Sequence, residues 1–407
     1  MLVKYLPEDF LVKEVLKTPL KGEGPFAVYK VVKRGLSTPE VLQSLAHILS
    51  VSPSKVSSPA LKDSRSVSTQ HLSVGPLKGD LPQKVSGEGF SGELIGFLDR
   101  RLGPKDLEGN IFRITLRKIR GEELPGLFEG WLKVLQEGFP NYFDLQRFGS
   151  WSKKRGFPGK AILLGQWEEV LKFYLTYPMI GDPKEVKRLK KRLTGLWGRW
   201  EEMKGNLPRS NLRSVVDFLC AHPSEFKKAV NLITPRILSL WLSSYQGFLW
   251  NQWASRWLKG KLKAGFLSVR FPFQELVFPK GDLPDKTRED IWSLELPLPS
   301  HRMRIEDEGL RALLEEVLKE EGLSVRDLKA RGLEKVYLSG GERRLWVKPK
   351  GIAMEAIDDE VFTTYKALVL EFFLPSGSYA TMALKALRLA SLGESFEEGH
   401  WPSHVNV

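Results

Sequence analysis

Between roughly Arg155 and Arg344 the chain abandons strand-like alternation for helical spacing and tryptophan, and strand patterns return only beyond that stretch. A chain patterned this way folds as α+β, with a sheet assembled from both ends and a helix-rich segment between them. Upstream, short β-rich runs alternate with turn signals such as Gly22-Glu23-Gly24-Pro25, and Phe26–Val32 reads as a strand. A helix follows, with Thr38 as its N-cap, Pro39 at the first position, and Val41, Leu42, Leu45, Ile48 and Leu49 as its apolar stripe. A Ser/Pro-rich loop from Ser50 to Pro59 leads into Ala60–Val74, whose end reads as a strand. Gly109–Arg117 alternates, with Phe112, Ile114 and Leu116 on one face and Arg113, Thr115 and Arg117 on the other, predicting a half-buried strand with a basic outer face. Leu127, Trp131, Leu132 and Leu135 mark an amphipathic helix that delivers the chain to Asn141.

In the middle stretch Pro235 opens a helix towards Leu258, and Trp241, Tyr245, Phe248, Trp250, Trp253 and Trp257 leave it little polar surface. Those rings read as core. Leu310, Leu313, Leu314, Val317 and Leu318 predict a further amphipathic helix. Strand, tight turn and helix are expected over Leu368–Met382, with Ala380, Ala383, Leu384 and Leu387 facing inward, and the last dozen residues are expected to be loosely ordered. The boundaries predicted are 1–154 with 345–407 for one domain and 155–344 for the other.

At 407 residues, 42% of them hydrophobic and 11% aromatic, the chain has material for more than one core. Its 62 basic residues against 49 acidic ones leave a formal charge of +13, which favours a polyanionic partner such as nucleic acid. A single cysteine, Cys220, excludes an internal disulfide, and the six histidines show no zinc-ligand spacing, so no metal is expected. No apolar run reaches membrane-spanning length and the N-terminal residues do not read as a secretory signal, so the expectation is a cytoplasmic protein without a membrane partner. The oligomeric state is left open, with a monomer favoured.

Asn141-Tyr142-Phe143-Asp144-Leu145-Gln146-Arg147-Phe148-Gly149 carries the strongest local signal. A nucleobase drawn out of its stack needs an apolar face and a few hydrogen-bonding groups for its edge. Phe143 and Tyr142 offer the face, Asn141 an amide, and Arg147 a cation for phosphate; the competing reading is a buried aromatic turn. Lys62-Asp63 lies in a serine-rich loop before a strand, where a carboxylate acts as nucleophile, base or simple cap. If that segment is extended, Asp63 and Arg65 share a face, Lys62 points away, and Arg65 keeps Asp63 ionised. Lys184–Leu193 is strongly basic, so Lys187, Arg188 and Lys191 are candidates for RNA backbone contacts, with a solvated helix face as the other reading.

Several of these segments, in this order, resemble the TruD family of pseudouridine synthases over most of the chain. They are Lys4 with Pro7–Glu14, Gly22-Glu23-Gly24, Lys33, Lys62-Asp63 with Val67 and Gln70, Gly109–Phe112, Asn141-Tyr142-Phe143, Gln146–Gly149 and Leu374–Thr381. The resemblance implies a catalytic domain on a mixed, mostly antiparallel sheet, with a helix-rich TRUD-type domain inserted after the Asn-Tyr-Phe motif. It implies an RNA substrate, favouring tRNA and its uridine 13, and no cofactor. It further implies that Asp63 is the nucleophile, that Phe143 packs beside the target base, that Phe10, Asn141 and Tyr379 contact the nucleotide, and that Lys4 lies near the same pocket. Lys4 and Lys62 are taken as substrate-binding residues, and Arg65 and Arg147 as contacts to the RNA backbone. Ala60, Ser64, Ser66 and Ser68 depart from the family pattern around the aspartate. Asp144 departs from the glycine that usually follows Asn-Tyr-Phe, and its carboxylate should weaken phosphate binding unless a cation pairs with it. A non-catalytic RNA-binding or RNA-chaperone protein retaining the synthase cleft is the alternative.

Overall fold

The computed structural model describes residues 1–397 apart from Lys78, Asp80 and Pro284, so the expectation for the last dozen residues falls almost wholly outside it. The chain divides into two compact units, Met1–Phe139 with Val347–Leu392, and Pro140–Trp346 with 393–397. Asn141-Tyr142-Phe143 thus belongs with the second unit.

The first unit is built on one sheet. Its strands are β1 (Phe10–Leu16), β2 (Phe26–Arg34), β3 (Val56–Ser57), β4 (Val67–Val74), β5 (Lys84–Gly87), β6 (Phe90–Leu98), β7 (Leu107–Ile119) and, from the far end of the chain, Lys350–Asp358 and Lys366–Pro375. The order runs Lys350–Asp358, Lys366–Pro375, β7, β1, β4, β2, β6, β5, with β3 paired beside β4. β1 runs parallel to β4, while the other pairs are antiparallel. This is the mixed, mostly antiparallel sheet that was expected.

Alternation along β2 sorts its side chains by face. Ala27, Tyr29 and Val31 pack with Val41, Leu45 and Ala46 of α1 (Thr38–Ile48) and with Leu72 and Val74 of β4, whereas Val28 joins Leu98 and Leu102 in another cluster. A ring series, Phe10 to Phe112 to Phe372 to Trp131, carries packing from β1 to α2 (Leu124–Glu137). The helix Ala380–Leu392 approaches α2 so closely that a Cβ at Gly130 would lie 3.0 Å from the Ser391 amide nitrogen. Ala380, Ala383, Leu384 and Leu387 are buried.

Three sequence expectations are corrected here. Ser37, not Thr38, caps α1, through a reciprocal arrangement in which the Ser37 hydroxyl accepts from the Glu40 N–H and Glu40 accepts the Ser37 N–H. Arg117 is not on a basic outer face: it is buried with its guanidinium between Asp9 (2.8 Å) and Asp359 (3.0 Å), two carboxylates brought from distant parts of the chain. Leu132 is exposed, and Val134 takes the inward position in α2.

In the second unit, the helix Pro235–Leu262 buries Trp241, Tyr245, Phe248, Trp250 and Trp253, and it packs against the hairpin Phe266–Phe271 with Gln274–Pro279. A helix apolar on every side is stable only when enclosed, and the stretch from Trp241 to Ser255 is buried on nearly every side, while Trp257, expected in the core, is half-buried and Leu240 is exposed. The basic helix Lys184–Thr194 turns Lys190 and Leu193 inward. Lys190 pairs with Asp182 at 2.8 Å, and the Lys187 ammonium donates to the Ile180 carbonyl at 3.0 Å; Arg188, Lys191 and Arg192 are exposed. Among the described residues no helix is long and apolar enough to cross a membrane.

Candidate active site

In the first unit, four side chains of the sequence prediction converge on the loop before β4, or just behind it. Lys4 has a left-handed backbone (φ 55°) in the segment that follows the pairing of Leu2 with Arg117 of β7. From there its ammonium reaches Asp63 Oδ2 at 2.6 Å and lies 4.0 Å from the centre of the Phe10 ring. Phe10 is 5% exposed and packed edge-on against Phe112, so it forms a rigid floor on which the cation is held.

The Asp63 backbone is fixed from several sides. Lys33, wholly buried on β2, donates from its ammonium to the carbonyls of Asp63 (2.7 Å) and Leu36 (2.6 Å). The Ser66 hydroxyl donates to the same Asp63 carbonyl at 2.9 Å and lies 2.8 Å from the buried Ser68 hydroxyl. Two of the serines that depart from the family pattern, Ser66 and Ser68, therefore make local hydrogen bonds at the loop bearing Asp63. Because Ser37 takes the capping role, the Thr38 hydroxyl is released to accept the Lys62 N–H at 2.8 Å and to donate to Gln70 at 3.1 Å.

The electrostatics follow from this geometry. Burial pushes the Asp63 carboxyl up, but the Lys4 charge and hydrogen bond, the Arg65 N–H and Lys33 outweigh burial and hold it below the usual carboxylate value. Burial pushes the Lys33 ammonium down to about 8, with Asp63 opposing and Lys62 adding to the fall. The condition set for Arg65 is not met: residues 64–66 form a bend, and the Arg65 backbone N–H turns onto Asp63 Oδ1 at 2.9 Å. The cation paired with the carboxylate is Lys4. Lys62 does turn away from Asp63, and its nearly buried ammonium lies 2.9 Å from Glu14 and donates to Asn110 Oδ1 at 2.6 Å. Tyr379 stands half-buried immediately before the helix Ala380–Leu392, where its carbonyl accepts the Met382 N–H at 3.0 Å.

In the second unit a separate cluster surrounds Asn141-Tyr142-Phe143. Asn251 grips the Phe143 backbone with both ends of its amide, accepting the N–H at 2.9 Å and donating to the carbonyl at 2.8 Å. The Phe143 ring, 8% exposed, meets Trp250 edge-on, with the Arg343 guanidinium 4.1 Å from its centre and that of Arg147 at 5.4 Å. Arg147 also donates to the Ser243 carbonyl at 3.2 Å. Buried Tyr142 donates its hydroxyl to the Val277 carbonyl at 2.9 Å, and burial raises its pKa. Asp144 caps the turn Leu145–Phe148 by accepting the Leu145 N–H at 2.7 Å, which gives the unexpected carboxylate a local structural use. Lys187, Arg188 and Lys191 are carried on the helix Lys184–Thr194.

Two arrangements escaped sequence reasoning. Lys33 is in phase with the inward-facing Ala27, Tyr29 and Val31, and a charge at a core position was a readable signal of a buried polar site. Arg343 and Asn251 had none, since one sits in a run of charges and the other among aromatic core positions.

The model of the family tRNA pseudouridine synthase D (TruD) matches residues 1–387. The chain belongs to the TruD family. Similar proteins include tRNA pseudouridine synthase D of Aquifex aeolicus, 29% identical over 95% of this chain and 97% of that one. Another is the probable tRNA pseudouridine synthase D 2 of Methanocaldococcus jannaschii, 30% identical over 95% of this chain and 91% of its relative. A solved structure of the putative TruD of Methanosarcina mazei shares the fold, with a TM-score of 0.67 and 24% identity, covering 95% of this chain and 92% of that chain. Family membership makes this chain a pseudouridine synthase, an isomerase.

Proposed function

We propose that this TruD-family chain isomerises a uridine of tRNA to pseudouridine in the cytoplasm, with Asp63 as nucleophile and uridine 13 as the target. The names of its relatives support tRNA as the substrate class, and the family resemblance supports position 13. The observation that carries the reading is the pair of Lys4 with Asp63: a partly buried carboxylate, held ionised by a cation 2.6 Å away. A carboxylate in that state attacks as an anion without first losing a proton.

The reaction breaks the bond between N1 of uracil and C1′ of the ribose, turns the base, and joins C5 to C1′. C5 then loses a proton and N1 gains one, so substrate and product are isomers and no redox partner enters the balance. Phe10, Tyr379, Asn141, Phe143, Lys4 and Lys62 are assigned to the substrate, and the Lys62 ammonium, held by Glu14 and Asn110, also ties the loop bearing Asp63 to β1 and β7. Arg65, Arg147, Lys187, Arg188 and Lys191 are assigned to phosphates, in keeping with the net charge of +13. The helix-rich unit is assigned as the inserted domain of the family.

The test is to incubate the protein with unmodified tRNA and map pseudouridine by carbodiimide labelling and primer extension, with Asp63→Asn alongside. A new stop at one uridine, absent with Asp63→Asn although that variant still binds the RNA, is the expected result. Tight binding with no stop in tRNA or total RNA would favour a non-catalytic RNA-binding protein instead.

A further inference from the structure

We infer that Arg343 is a positioning residue that locks the Asn141 amide in one orientation and thereby sets the choice of uracil over cytosine. The inference rests on the reading of Asn141 as a nucleotide contact. Arg343 lies on the short strand Glu342–Arg344, paired with Glu295–Pro297. Its Nε donates to the Asn141 carbonyl at 2.8 Å, while one terminal nitrogen donates to Asn141 Oδ1 at 2.9 Å and to the Tyr142 carbonyl at 3.4 Å. The guanidinium plane also covers Phe143 at 4.1 Å and Trp250 at 5.3 Å. One side chain thus touches the first three residues of the motif.

Chemistry fixes the amide assignment. A guanidinium only donates, so the Asn141 atom facing it must be the oxygen. On the other side, Asn141 Nδ2 lies 3.2 Å from the Arg344 carbonyl, which only accepts, so that atom must be the nitrogen. Each end of the amide has one partner of obligatory type, and turning it over would set donor against donor and acceptor against acceptor. What remains is one lone pair on Oδ1 and one N–H on Nδ2. Uracil presents a carbonyl beside an N3–H; cytosine presents an unprotonated N3 beside an amino group, the reverse order. An amide that cannot turn over distinguishes the two edges when the ribose fixes how the base enters, and one that can turn over accepts both.

The experiment uses the full chain with tRNA carrying either uridine or cytidine at the position mapped above, and measures equilibrium binding alongside single-turnover isomerisation. Wild type is expected to bind the uridine form about 10-fold or more tightly over the cytidine form. Arg343→Met is expected to reduce that preference to within about 3-fold, and Arg343→Lys, which keeps one donor, to recover part of it. In turnover, Arg343→Lys should lower the rate constant by about 10-fold or more with KM little changed, but by no more than about 3-fold when Asn141→Ala is already present. An unchanged base preference, or an equal loss of rate with and without Asn141→Ala, would overturn the inference while leaving the proposed activity intact. Absence of pseudouridine with wild type would overturn both. Thermal melting of each variant separates these results from unfolding, and if Arg343→Met fails to fold the Arg343→Lys coupling measurement decides alone.

Discussion

Replacing Lys4 by methionine removes the cation from Asp63 while keeping most of the side chain's bulk over Phe10. In the structure the ammonium makes one charge-assisted hydrogen bond of 2.6 Å to a carboxylate whose side chain is 28% exposed. A hydrogen bond to a charged group is worth roughly 1.5–3 kcal/mol. Removing it leaves burial, which raises the Asp63 pKa, with less opposition, because Arg65 N–H and Lys33 are then the remaining named terms that lower it. The sign is fixed: the anion is the attacking form, the wild-type carboxyl is held below its ordinary value, and activity is lost as pH falls through that depressed value. In Lys4→Met the acid limb must move upward. Because the carboxyl starts below its ordinary value, removing that free energy still leaves much of it ionised at pH 6, so the expected loss in single-turnover rate is up to about 10-fold at pH 5 and about 2-fold or less at pH 6, vanishing as pH rises towards 8. The assay is release of tritium from C5-labelled uridine in tRNA between pH 5 and 8.5. A loss equal at every pH, or an acid limb unchanged from wild type, would refute the account of Lys4 as the group that keeps Asp63 charged.

Thr38→Val removes the acceptor for the Lys62 N–H and the donor to Gln70, both partly or wholly buried; a loss of about 1–3 kcal/mol in denaturant unfolding is expected, whereas a stability equal to wild type would show that water replaces both bonds. Lys33 gives a pH signature of opposite sign to the usual paired lysine. Its folded pKa of about 8 lies below the ordinary 10.5, so burying the ammonium costs stability below about pH 8 and that cost is relieved between 8 and 10.5. The melting temperature of wild type relative to Lys33→Met should therefore rise between pH 7.5 and 9.5, and a constant difference would count against a buried charged Lys33.

Much of the fold was legible because it is written in short-range periodicity. Alternation in Phe26–Val32 and Gly109–Arg117, and helical spacing around Leu127 and Leu314, follow from backbone geometry over a few residues. The corrections arose where neighbours in space displaced neighbours in sequence. Thr38 has the chemistry of a cap, yet Ser37 is one residue earlier with Glu40 at the reciprocal position. Arg117 alternates as an outward residue, yet Asp9 and Asp359 meet it inside.

The order and identity of the motif residues, from Lys4 through Asp63 and Asn141 to Tyr379, were sufficient to mark the family and the α+β architecture without coordinates. Which groups partner one another was decided only in three dimensions. Lys4 is 59 residues from Asp63, and Arg343 is 202 residues from Asn141. A hydrogen bond needs donor and acceptor within about 3 Å, and for residues so far apart that distance is set by strand order and packing, which local sequence patterns do not encode.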